Sequence, residues 1–136
     1  MPQRRPDRVL GPGHDDFWAW CNRGELRLQA CENCGRLAWP VVATCERCGG
    51  ERFAWQRMSG RGNVVSWCTF EYDYYRGALP LPYETILVEL EEGPLFISNP
   101  LGLTWCDLAF NLTVKLAFLA CEDAAGSFQL PVFEKA

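Results

Sequence analysis

The chain has 136 residues, 49% of them hydrophobic, with six Trp, eight Cys and a formal net charge of −4. That length allows one modest domain that buries about two-thirds of its surface. No run approaches the ~20 apolar residues of a membrane-spanning helix, and the charge lacks the strongly basic excess of a nucleic-acid binder.

The charge is unevenly spread. Residues 1–62 carry ten basic against seven acidic side chains, net +3, and residues 63–136 carry three against ten, net −7. Residues 1–16 are polar, without the apolar run of a secretory leader. Eight cysteines behind such a start point to a reducing, cytoplasmic setting.

Residues 1–12 combine early prolines, three arginines and a Gly-Pro break, which predicts a flexible or partner-ordered arm. Next, residues 14–24 predict a short helix capped by Asp15 or Asp16 and ended by Gly24, with Phe17, Trp20 and Cys21 on one face. Trp18 points elsewhere, either onto the chain's own core or toward a partner or an apolar ligand. Residues 25–30 alternate in period two and predict a strand.

Two Cys-x-x-Cys pairs follow, Cys31/Cys34 and Cys45/Cys48, with ten residues between them. Four thiolates at this spacing suit a tetrahedral, structural Zn²⁺ that leaves no open position for substrate. A redox pair would leave the second Cys-x-x-Cys unexplained, and two disulfides are the other alternative. Gly35 and Gly49 allow sharp turns that aim amides at sulfur, and Arg36, Arg47 and Arg52 lie close enough in sequence to offset the site's negative charge. With short extended pieces at residues 37–40 and 53–55, residues 25–56 predict a zinc ribbon whose folding depends on the metal.

After the turn at residues 59–62, five strands are predicted at 63–70, 83–90, 95–99, 112–121 and 128–133. Residues 71–82 form a loop with three tyrosines, and residues 101–111 have room for a short helical turn. The fold class is mainly β: a short helix and rubredoxin-like ribbon over 13–58, then a five-stranded OB-fold barrel over 59–136. Cys21, Cys68, Cys106 and Cys121 read as reduced, buried thiols.

Catalytic parts are scarce. His14 is the one histidine and reads as solvated or capping, so no Ser-His-Asp or Cys-His set can form without it. The acid pairs Asp15-Asp16, Glu91-Glu92 and Glu122-Asp123 lie in caps or turns and read as solvated faces.

Phe17-Trp18 with Gly24-Glu25-Leu26, both CxxCG knuckles, residues 59–64, residues 88–94 and Leu130-Pro131-Val132-Phe133 together resemble the DUF35 family across residues 14–134. Phe110-Asn111-Leu112 departs from the family's usual lead-in to the fourth strand. The resemblance implies a non-catalytic accessory subunit that docks on a thiolase-fold enzyme in a hetero-oligomer, possibly two plus two. The enzyme it implies is a thiolase-like aldolase acting on a steroid side-chain acyl-CoA, with a thiolase or acyltransferase complex as the alternative. In that setting Arg36, Arg61 and Arg76, with Trp39, Trp55 and Tyr75, are the candidates for CoA, because phosphates favour Arg forks and adenine stacks on rings. Trp18, Tyr72, Tyr74 and Tyr83 are candidates for partner contact. Two rival readings stay open: a single-strand nucleic-acid binder, opposed by the acidic barrel half, and a stand-alone enzyme.

Overall fold

A computed structural model describes residues 2–136. Its elements are β1 (Gln3–Arg4), α1 (His14–Asn22), β2 (Arg27–Cys31), β3 (Leu37–Ala38), β4 (Phe53–Arg57), β5 (Arg61–Phe70), β6 (Tyr83–Leu90), β7 (Leu95–Ser98), β8 (Thr113–Asp123) and β9 (Gly126–Lys135). Among the described residues no helix is long and apolar enough to cross a membrane.

The ribbon is the three-stranded sheet β3-β2-β4. On β2 the side chains of Leu28 and Gln29 are both buried. Gln29 is satisfied in both directions: its Nε2 donates to the Val42 carbonyl (3.1 Å) and its Oε1 accepts from the Val42 amide (2.9 Å). Bonding both ends of a buried amide offsets its desolvation cost, and this pair ties Val42 to the sheet.

The barrel is the sheet β1-β8-β5-β6-β7, with β9 paired to β8. Closure comes just past β7, where Leu101 N–H donates to the Phe133 carbonyl (2.7 Å) and Phe133 N–H to the Asn99 carbonyl (3.2 Å). Strand β5 is buried at alternate positions, Gly62 and Val64, until a register shift between Val64 and Ser66. Such an irregularity bends a strand and favours closure of a small barrel. Between β7 and β8 there are two turns and no helix: Thr104 N–H and Oγ1–H donate to Asp107, and Leu112 N–H donates to the Ala109 carbonyl at 3.1 Å.

One core runs through both parts. Phe17 and Cys21 of α1 and Leu26 and Leu28 from the ribbon cluster with Val64, Ile86, Val88, Phe96, Val114 and Phe133 of the barrel.

Three expectations are corrected. Cys21 and Cys121 are buried, but Cys68 and Cys106 are exposed: one lies on the outer half of β5, the other in the turn before β8. The helix begins at Gly13 without a side-chain cap, and Asp15 instead accepts from the Gly11 N–H at 3.0 Å. The N-terminal stretch is no free arm. Strand β1 runs parallel to β8, pairing Gln3 with Cys121 and Arg4 with Glu122.

What pins this stretch is Arg8. Its guanidinium grips Asp123 through Nε (2.8 Å) and Nη2 (3.3 Å), its own amide donates to the same carboxylate (3.0 Å), and Phe128 and Trp18 flank its charge at 4.1 and 5.3 Å. Arg8 above all, with burial opposing it, holds the Asp123 carboxyl well below the usual carboxylate range. A depressed acid contributes stability above its unfolded pKa of about 4 and loses it as pH falls through the lower, folded value. Asp123→Asn is therefore expected to cost about 2 kcal/mol of local stability at neutral pH. Hydrogen exchange at the Arg5 and Arg8 amides should speed up at pH 7 and lose the acid dependence seen in the parent chain.

Candidate functional site: a thiolate centre and an aromatic cleft

The four cysteines converge. Their sulfurs lie within 4.8 Å of one another, with Cys31–Cys48 at 3.5 Å and Cys34–Cys45 at 3.6 Å. A disulfide needs about 2.05 Å, whereas a tetrahedron with Zn–S near 2.3 Å sets sulfurs about 3.8 Å apart. The spacing fits one metal held by all four sulfurs and not a disulfide, and a lone redox pair would leave the other two sulfurs of the cluster unexplained.

The two knuckles are near copies. Gly35 N–H donates to the Cys31 carbonyl and Gly49 N–H to that of Cys45, both at 2.8 Å, and both glycines have φ +77°. That conformation is easy for glycine and strained for other residues. Amides of the turns that the glycines permit reach the sulfurs, among them those of Arg36 and Gly50. The Arg36 N–H, then the Arg47 side chain, bring the Cys34 thiol down to about 6 against opposing desolvation, and the Asn33 side chain and Gly50 amide lower Cys48. Arg47 also donates to the Cys34 carbonyl at 2.7 Å. These groups favour thiolate, the form zinc takes. The site is a structural Cys₄ zinc centre.

A cleft of about 760 Å³ opens between the N-terminal stretch, α1, residues 39–41, the tyrosine loop and strands β6, β7 and β9. Its lining is largely aromatic and aliphatic. It gathers five of the predicted residues, Trp18, Trp39, Tyr74, Tyr75 and Tyr83. Trp18 is a wall of this cleft, set edge-on against Phe128 at 5.3 Å. Trp39 packs on Phe96 at 4.5 Å, and Tyr83 stacks on Phe70 at 4.9 Å.

The other candidates lie elsewhere. Arg61 pairs with Glu91 at 2.9 Å on the surface. Arg36 faces Glu46 at 3.5 Å beside a smaller hollow of about 230 Å³. Arg76 is exposed on the tyrosine loop at φ +49°. Trp55 packs against the core from β4. Tyr72 stands 69% exposed on the loop, against Tyr74 at 4.8 Å. The three cations predicted for CoA therefore do not converge.

Sequence reasoning missed Arg5, Phe70 and Asn99, and it read His14, which also lines the cleft, as solvated or capping. Nothing local marks Arg5: it sits among arginines and prolines, and only the pairing of β1 with β8 carries it to the cleft.

Family models match the chain in two consecutive parts: ChsH2, rubredoxin-like zinc ribbon domain, over residues 18–54, and ChsH2, C-terminal OB-fold domain, over residues 55–118. The chain belongs to the DUF35 family. Among solved structures, the Ltp2-ChsH2(DUF35) aldolase superposes with a TM-score of 0.83 at 25% identity, over 95% of this chain and 98% of that one. A DUF35 protein of unknown function from Sulfolobus solfataricus shares the fold, with a TM-score of 0.58 at 17% identity over 78% of both chains. Among curated proteins, a DUF35 domain-containing scaffold protein of Pyrococcus furiosus is 34% identical over 51% of this chain and 50% of its own length. A probable enoyl-CoA hydratase alpha subunit of Thermomonospora curvata is 31% identical over 97% of this chain and 40% of its own length. This DUF35 chain thus spans half or less of the curated relatives it matches.

Proposed function

We propose that this DUF35 chain is an accessory subunit that docks on a thiolase-fold enzyme and helps order that enzyme's acyl-CoA site. The observation that carries the reading is the end-to-end likeness to the DUF35 chain of the Ltp2-ChsH2 aldolase. The finer form of the reading is an aldolase acting on a steroid side-chain acyl-CoA, in a two-plus-two assembly.

The surface chemistry supports docking. Tyr72, Tyr74 and Tyr75 are 69%, 65% and 48% exposed on one loop, and Leu81 is 41% exposed beside them. Tyrosine supplies broad apolar contact with a polar tip, which is why it concentrates in interfaces. Zinc holds the ribbon as scaffold and takes no part in chemistry.

The likeness to the hydratase alpha subunit favours a second partner: an acyl-CoA hydratase in place of the aldolase. Co-expression with each candidate enzyme, followed by gel filtration, separates the two. Joint elution with the thiolase-fold enzyme is expected, and separate peaks in mild salt would count against it. Tyr72→Ser with Tyr74→Ser is expected to weaken the complex at least tenfold, since buried interface tyrosines are frequent hot spots. An unchanged affinity would move the interface away from this loop.

A further inference from the structure

Docking leaves one property of the cleft unused, a positive charge without a counter-charge. The Arg5 backbone is fixed by its N–H donating to the Glu122 carbonyl at 3.0 Å. Its Nη2 donates to Asn99 Oδ1 at 2.8 Å, and Asn99 in turn donates Nδ2–H to the Glu84 carbonyl at 2.7 Å. The oxygen that meets Arg5 is therefore a neutral amide oxygen.

Among the described residues no carboxylate lies within 4 Å of Arg5, whereas Arg8, also on the cleft wall, is fully engaged by Asp123. Arg5 is half-buried, beside Cys121, Tyr75 and Tyr83, and burial pulls its pKa down from the ordinary arginine value. A guanidinium carries five N–H donors. Withdrawing one from water without an anion is costly, and an anion arriving with a ligand removes that cost.

We infer that the cleft binds an apolar carboxylate, a fatty or ring-bearing carboxylic acid whose body lies against Phe70, Tyr83, Phe96 and Ile97 and whose charge pairs with Arg5. The aromatic lining and a volume of about 760 Å³ suit a ligand of that size. One uncompensated cation matches one carboxylate. It does not match the several charges of the CoA phosphates. The site belongs to this chain alone, so it is tested without a partner and fails separately from the docking reading.

The experiment titrates the full, zinc-loaded chain with cis-parinaric acid and its methyl ester, following probe fluorescence. Saturable 1:1 binding of the acid is expected, with the ester at least tenfold weaker. Arg5→Gln should weaken the acid at least tenfold and leave the ester unchanged, and Arg5→Lys should keep the preference for acid. Asn99→Asp should act like Arg5→Gln, because it places a carboxylate of the chain against Arg5. Zinc content and melting temperature report whether each variant folds. Equal affinity for acid and ester, wild-type binding by both Arg5→Gln and Asn99→Asp, or displacement of the probe by CoA alone would each overturn the inference, as would no saturable binding at all.

Discussion

Replacing Cys45 with Ser is expected to empty the zinc site and to lower the stability of the whole chain. Cys45 is buried, and its sulfur lies 3.6 Å from that of Cys34. Around it the ribbon has strands of only five, two and five residues. A unit so small cannot offset its chain entropy by burial, and structural zinc typically supplies about 10–16 kcal/mol. The effect reaches further because Leu26 and Leu28 belong to the same core as Val64, Val88 and Phe133. Metal analysis should fall from one zinc per chain to nearly none. The melting temperature should drop by about 10 °C or more, at roughly 3–5 °C per kcal/mol for a chain of this size. Zinc loss with unchanged melting would mean that the ribbon hangs from the barrel without supporting it.

Gly62→Ala is expected to cost about 3 kcal/mol, the upper part of the range for overpacked cores. Gly62 sits in β5 with partners on both sides, Leu90 of β6 and Val114 of β8. A Cβ there would lie 2.6 Å from the Glu89 carbonyl oxygen and 2.6 Å from Val88 Cγ1. The oxygen is backbone, so relief requires moving a strand of the barrel. Gly77→Ala makes a useful comparison: its φ is +83° but nothing lies within 4 Å of the added atom. It should cost only about 1 kcal/mol of backbone strain. Denaturant melts of the two variants would separate steric closeness from conformational strain, and equal losses would contradict the packing argument.

The zinc centre and the succession of strands after residue 60 were legible because each rests on local pattern. Two Cys-x-x-Cys pairs announce four ligands, and alternation over residues 83–90 announces β6. The aromatic character of the cleft was legible too, since Trp18, Trp39, Tyr75 and Tyr83 all line it. The charges were not. Arg61 and Arg36 look available in sequence, but Glu91 and Glu46 face them. Arg5 and Asp123 acquire their surroundings from pairings across more than ninety residues, such as Arg5 with Asn99 and Arg8 with Asp123. Exposure of Cys68 and Cys106 was equally hidden, because an apolar neighbourhood in sequence does not say which face of the barrel a thiol occupies.

The continuous core has a consequence for recombination. The two family models meet between residues 54 and 55, inside β4. A chimera joined at that seam would graft a foreign ribbon onto this barrel, leaving Phe96 and Phe133 to meet unmatched side chains where Phe17, Leu26 and Leu28 now interdigitate. A workable hybrid must transplant α1 and β2 together with the barrel residues they touch, so the two modules have to be exchanged as one piece.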